Sequence, residues 1–269
     1  MSASTSVSSG NSERAGLESL LSFWADAGVD TLYAAEPVDR TRRIEAKASA
    51  ASPTLALTTP SVARLPAIDL DAPRRVAEAA SDLDSLRAGA ADYLLQVLGI
   101  RAPVFWRGAA DAAVFVIGEA PGLDDENAGL PFAAAAGRLL DRMLAAIGMS
   151  DRAMAANTLF WRPPGDRPAT PDEQAICAVF LERAIALVKP RALLITGAGA
   201  AKAMLGRDEP ILSLHGRWLE WRSADGALEI PALPTLSPAF LLRQPAAKAK
   251  SWSDLVTLSE RVDRPHRPE

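Results

Sequence analysis

The stretch from Val114 to Leu140 constrains the fold of this chain more than any other. Val114-Phe-Val-Ile-Gly118 is a short apolar run that stops abruptly, Pro121-Gly122 follows as a turn, and Asp124-Asp-Glu126 sets three acids side by side. An apolar run closed by turn residues and a charged loop reads as a buried strand delivering polar groups at its carboxyl end. From Gly137 onward Leu139, Leu140, Met143, Leu144 and Ile147 recur at three- and four-residue spacing, which predicts an amphipathic helix packed onto the sheet and ending near Gly148. Strand, loaded loop and helix form one unit. In open α/β sheets, ligands bind at the carboxyl ends of such strands.

The remaining elements extend this unit. Residues 1–14 are Ser-rich and read as a disordered tail. Within 15–33, Leu17, Leu20, Leu21 and Trp24 share one helical face, so a short amphipathic helix is expected there, with its apolar side covered by the main domain or by a protein partner. Residues 34–73 shift to Ala, Ser, Thr and Pro with scattered Arg, the composition of a flexible linker. The globular domain is expected over 74–262, followed by a charged tail at 263–269. Inside it the pattern predicts a helix over 76–98 and strands at 114–118, 157–161 and 191–196. It also predicts a hairpin of 218–221 and 228–233 around Ser223-Ala-Asp-Gly226. Thr170-Pro-Asp-Glu173 is a helix start, because Thr can accept from free first-turn donors and Pro suits the first helical position. That helix runs to about Val188, another opens at Ala198, and a last one opens at Trp252. The alternation predicts a three-layer α/β/α fold with a small, mainly parallel central sheet.

Charge and cysteine usage narrow the function classes. The net charge is −4 and the isoelectric point about 5.4, so nothing global draws the chain to nucleic acid. A DNA partner would need a local basic face, for which Arg162, Arg167, Arg217, Arg243, Lys248 and Lys250 are candidates. No apolar run approaches the roughly 20 residues of a membrane span, and the first residues lack a secretory pattern, so no membrane association and a cytoplasmic, bacterial setting are expected. The single Cys177 excludes an intrachain disulfide and any iron–sulfur cluster held by four cysteines of one chain. No zinc-ligand spacing occurs, and neither metal nor cofactor is expected.

Four segments in order carry a resemblance. Gly118-Glu-Ala-Pro-Gly122, the acids at 124–126, Gly129, Pro131-Phe132 and Ala136-Gly137 through Leu140 resemble the first motif of the family 4 uracil-DNA glycosylases. Asn157 to Arg167 resembles the second motif, Pro190 to Gly197 the third, and Pro234 to Pro245 the last, so that the likeness covers roughly residues 76–262. The resemblance implies a monomeric DNA repair hydrolase that flips uracil, or a related deaminated base, out of single- or double-stranded DNA and hydrolyses its N-glycosidic bond. Positive charge then grows on the sugar and negative charge on the departing base. The resemblance assigns Glu119 and Asp125 to the water and the sugar. It places Gly118, Ala120 and Phe132 around the base, where stacking on a ring is worth ~1–3 kcal/mol. Asn157 would read the O4 and N3–H edge, since an amide offers both a donor and an acceptor. Arg162, Arg167, Arg217, Leu241, Leu242 and Arg243 would hold phosphate or wedge into the duplex.

The departures from that pattern are equally specific. Ser237 stands where the family has the histidine that donates to the uracil oxygen, and loss of one such donor costs ~10²–10³ in rate. Asp125 replaces glutamate, an alanine of the run after Phe132 (Ala134 in the aligned segment) a glycine, Asp166 an asparagine and His215 an arginine. His215 is an alternative occupant of the pocket; His266 belongs to the charged tail. Of the family's four cluster cysteines only Cys177 has a counterpart, with Trp161 in place of the third, so packing by Phe160 and Trp161 is the expected substitute. A second reading is therefore a catalytically impaired glycosylase fold that binds damaged or single-stranded DNA. A third is an interaction protein acting through the helix within 15–33.

Overall fold

The computed structural model describes residues 70–263; the expected tail, amphipathic helix and nearly all of the linker lie outside them, as do residues 264–269. Short apolar runs ending in a polar residue or glycine form the centre of a six-stranded sheet. In chain order the strands are β1 (Trp106–Gly108), β2 (Val114–Gly118), β3 (Ala153–Asn157), β4 (Ala192–Thr196), β5 (Leu219–Arg222) and β6 (Glu229–Thr235). Their spatial order is β1-β3-β2-β4-β6-β5, with β3, β2, β4 and β6 parallel and the two edges antiparallel. The expected small, mainly parallel sheet is thus present, and β2, β3 and β4 are buried at every residue.

Alternation along the strands builds two cores. Phe115, Ile117, Met154, Ala156, Leu193 and Ile195 face one side. There they meet α1 (Asp71–Ala79), α2 (Leu83–Leu98) and α5 (Pro171–Val188) through residues such as Ala77, Leu86, Leu94, Phe180 and Ile185. Val114, Val116, Ala155, Leu194 and Leu233 face the other side, against Leu140 and Leu144 of α4 (Ala134–Ala146) and Leu255, Leu258 and Val262 of α9 (Lys248–Asp263). Helices on both faces make the fold three-layered.

Several boundaries differ from the sequence reading. The helix expected over 76–98 is two helices, because Asp82 accepts from Ser85 N (2.8 Å) while Ser85 Oγ accepts from Asp82 N (3.2 Å), a reciprocal cap that starts α2 afresh. The strand expected at 157–161 ends at Asn157 instead. Ala-Met-Ala-Ala has weak strand preference alone, and pairing with β1 and β2 on either side imposes the conformation. Strand β1 is too short to register in a sequence pattern. The segment following β2 holds two helices, α3 (Leu123–Ala128) and α4, and the last helix starts at Lys248 rather than Trp252. Helix α5 begins as read: Thr170 Oγ1 accepts from Glu173 N (3.2 Å) and the Glu173 carboxylate accepts from Thr170 N (2.8 Å). Arg167 clasps that carboxylate with two hydrogen bonds and holds it below its ordinary range.

Candidate active site

The carboxyl ends of the parallel strands converge on one rim of the sheet. Gly118 closes β2 and Asn157 closes β3, directly opposite each other in register; Thr196 and Thr235 close β4 and β6 in the same way. Space at Gly118 is tight. A Cβ built there would lie 2.3 Å from Asn157 Oδ1 and 2.7 Å from the Phe132 ring, so only glycine lets amide and ring meet over this backbone. Asn157 is 3% exposed, and its Nδ2 is a buried donor without a partner among the described residues. A buried donor left unpaired is costly and needs a reason.

Phe132 reaches this point through a strained backbone. Its φ is 54°, a left-handed value that non-glycine residues rarely adopt. Three features hold it there. Arg107 Nε donates to Pro131 O (2.9 Å), and its Nη2 donates to Phe132 O (3.4 Å) and to Asp141 Oδ1 (2.7 Å). Gly137 leaves room for the Phe132 carbonyl, which would lie 1.5 Å from a Cβ at that position. Asp125 completes the brace: its Oδ2 accepts from Gly122 N (3.0 Å) and its Oδ1 from Ala133 N (2.6 Å). Both Asp125 oxygens are therefore committed to backbone, and this carboxylate shapes the loop that carries Phe132. Ala120 is half-buried beside the loop.

Glu119, the next residue after β2, is exposed, and its carboxylate lies against the first turn of α6 (Ala198–Leu205) at Gly199. Ser237 caps α8 (Pro238–Arg243), the next helix after the short α7 (Ile211–Leu214): its Oγ accepts from Phe240 N at 3.3 Å, beside Gly197. The hydroxyl proton of Ser237 stays available for donation.

The basic candidates divide. Arg162 forms two hydrogen bonds with Asp166 (2.6 and 2.7 Å) and lies 3.7 Å from Glu126; Arg167 is held by Glu173, and Arg217 lies 3.1 Å from Glu209. Arg243 is exposed and, among the described residues, has no carboxylate within ion-pair distance, as is also true of Lys248 and Lys250. The Leu241-Leu242-Arg243 segment, read as a wedging loop, is the end of a helix. Leu241 is buried at 1% exposure because it packs inward, and only Leu242, at 43%, is presented as an apolar tip.

His215 makes its contact with Asp254, not with Asn157 or Phe132. Its Nδ1 meets Asp254 Oδ1 at 3.2 Å, and the buried Asp254 also accepts from Thr235 Oγ1 at 2.7 Å, tying α9 to the end of β6. Arg107, Asp141, Gly199, Thr235 and Asp254 were not singled out by sequence, since their partners lie many residues away. A glycine inside the alanine-rich stretch 198–203 was the one available signal.

Residues 105–256 match the family described as the Uracil DNA glycosylase superfamily. The chain belongs to that superfamily. It is similar to a type-4 uracil-DNA glycosylase of Pyrobaculum aerophilum, 32% identical over 148 residues that make up 53% of this chain and 74% of the relative. It is also similar to type-4 enzymes of Thermotoga maritima (31% identical, 52% and 71% covered) and Sulfurisphaera tokodaii (30% identical, 58% and 73% covered). The iron–sulfur cluster that the family resemblance implies does not fit this member. Its one cysteine, Cys177, is fully buried, and burial pushes the thiol up to about 12, far from the thiolate a cluster requires. Where a ligand would precede Arg162, the buried Trp161 packs in the apolar core with Phe160. A maleimide reagent at pH 8 is expected to leave the native glycosylase-fold domain unlabelled and to label Cys177 once the chain is denatured.

Proposed function

We propose that the chain is a DNA repair hydrolase that flips uracil out of DNA and hydrolyses its N-glycosidic bond without a cluster. The observation that carries this reading is the unpaired, buried Nδ2 of Asn157 beside the Phe132 ring. Uracil offers an acceptor, O4, to that donor; cytosine offers an amino group, which would leave two donors facing each other. The ring of Phe132 supplies the stacking face. Of the two carboxylates assigned to the water and the sugar, Glu119 is the one not tied to backbone, and it positions water and balances positive charge on the sugar. Ser237 donates its hydroxyl proton, directly or through a water, to the base oxygen as negative charge builds. Asp125 acts through the loop it braces, as a positioning residue.

DNA is held by the unpaired cations. Arg243, Lys248 and Lys250 meet phosphate, while Leu242 fills the gap left by the flipped base. Arg162, Arg167 and Arg217 first exchange an intramolecular carboxylate for phosphate, which limits their contribution. The protein acts as a monomer in a bacterial cytoplasm, and its amino-terminal segment 15–33 engages a separate protein partner. One observation favours the second reading, a glycosylase fold that binds without cutting: the family's histidine is replaced by the short side chain of Ser237, whose Oγ is anchored at a helix start.

Single-turnover release of uracil from a uracil-containing oligonucleotide at enzyme excess separates the two. The wild type is expected to release uracil, Glu119→Ala to slow it about 10²-fold or more, and Ser237→His to speed it by as much as about 10²–10³-fold. Release by Ser237→His alone would make the wild type a binding protein. Release by neither would remove uracil as the substrate.

A further inference from the structure

Gly199 is a glycine that its backbone does not ask for. It lies in the first turn of α6, its φ is not in the left-handed region, and Ala198, Ala200 and Ala201 surround it. Alanine is the better helix former, so glycine here carries a conformational cost. What glycine supplies is space. A Cβ at this position would lie 2.0 Å from Glu119 Cδ and 2.2 and 2.4 Å from its two carboxylate oxygens. The carboxylate therefore occupies the volume that any side chain at 199 would fill. It also rests against a helix start, where backbone N–H groups lack helical partners and negative charge is favoured.

We infer that Gly199 is a positioning residue that sets where the Glu119 carboxylate stands, and so tunes how well Glu119 serves the reaction. The inference rests on the role given to Glu119 above. The obstructed group is the free end of a flexible, exposed side chain, so Gly199→Ala displaces the carboxylate and leaves the fold intact. Misplacement of a catalytic group by about 1 Å costs on the order of 10²-fold in rate.

Gly199→Ala is measured by single-turnover uracil release, by affinity for the uracil-containing oligonucleotide, and by melting temperature. The rate is expected to fall about tenfold or more with affinity unchanged, while the melting temperature holds or rises by about 1–4 °C. In a Glu119→Ala background the same substitution is expected to change nothing further. A wild-type rate in Gly199→Ala, or an equal loss in both backgrounds, would overturn the inference. If the wild type releases no uracil, the functional reading fails by itself. Gly199 is then judged by the ¹³C carboxyl resonance of Glu119, which must move in Gly199→Ala; a resonance that stays put refutes the positioning role.

Discussion

Asn157→Asp is expected to reduce single-turnover uracil release by about 10³-fold or more and to open a slow release of cytosine. The substitution replaces the unpaired Nδ2 donor with an oxygen while keeping the shape of the side chain. Uracil O4 then faces an acceptor, and a site built around one buried hydrogen bond rejects a ligand that cannot make it by about 10⁴–10⁵-fold. The amino group of cytosine finds in the new oxygen the acceptor that it lacked. Asn157→Ala serves as the control. Because Nδ2 has no partner among the described residues, losing it breaks no hydrogen bond there, so the melting temperature should change little while uracil release falls. Equal uracil release by wild type and Asn157→Ala would show that the base is read elsewhere.

The contrast between Asn157 and the groups that hold Phe132 shows what a linear sequence can carry. Asn157 was readable by its chemistry, but at the start of a strand rather than at the end it occupies. Gly118 and Glu119 stand at a strand end, and the apolar run before them stops visibly, so place and chemistry were readable together. The same holds for β4 and for the hairpin of β5 and β6, where patterning follows burial. β3 was displaced because Ala153 to Ala156 lack strand character of their own and take it from their neighbours. Arg107 gave no signal, since its partners Pro131, Phe132 and Asp141 lie 24, 25 and 34 residues on. Asp254 is similarly silent until α9 folds back under β6. The arginines were readable as cations but not as already paired ones: pairing of Arg217 with Glu209 depends on a turn that only the folded chain defines. Asp125 shows the converse, a residue legible as part of the loop whose work, bracing Gly122 and Ala133, emerges only from geometry.

The packing around Phe160 carries the largest expected effect on stability. Phe160 is completely buried, with the Phe105 ring 5.1 Å away and tilted and the Trp106 ring 6.3 Å away edge-on. Its carbonyl also accepts from Val104 N, which fastens the chain entering β1 to the segment leaving β3. Truncating such a residue removes its burial and leaves a cavity the surrounding rings cannot close, at a cost of about 3–5 kcal/mol. In a domain of this size that lowers the melting temperature by about 6–20 °C. Phe160→Leu, which keeps most of the volume, should recover much of the loss. Because Phe160 lies three residues beyond Asn157, the truncated variant should also release uracil more slowly at temperatures where it remains folded. If aromatic packing has taken over the work of a cluster, a metal chelator leaves the wild-type melting temperature unchanged while Phe160→Ala lowers it. A chelator-induced drop in the wild type, or a Phe160→Ala variant as stable as the parent, would mean that this side of the sheet is held together by something other than its rings.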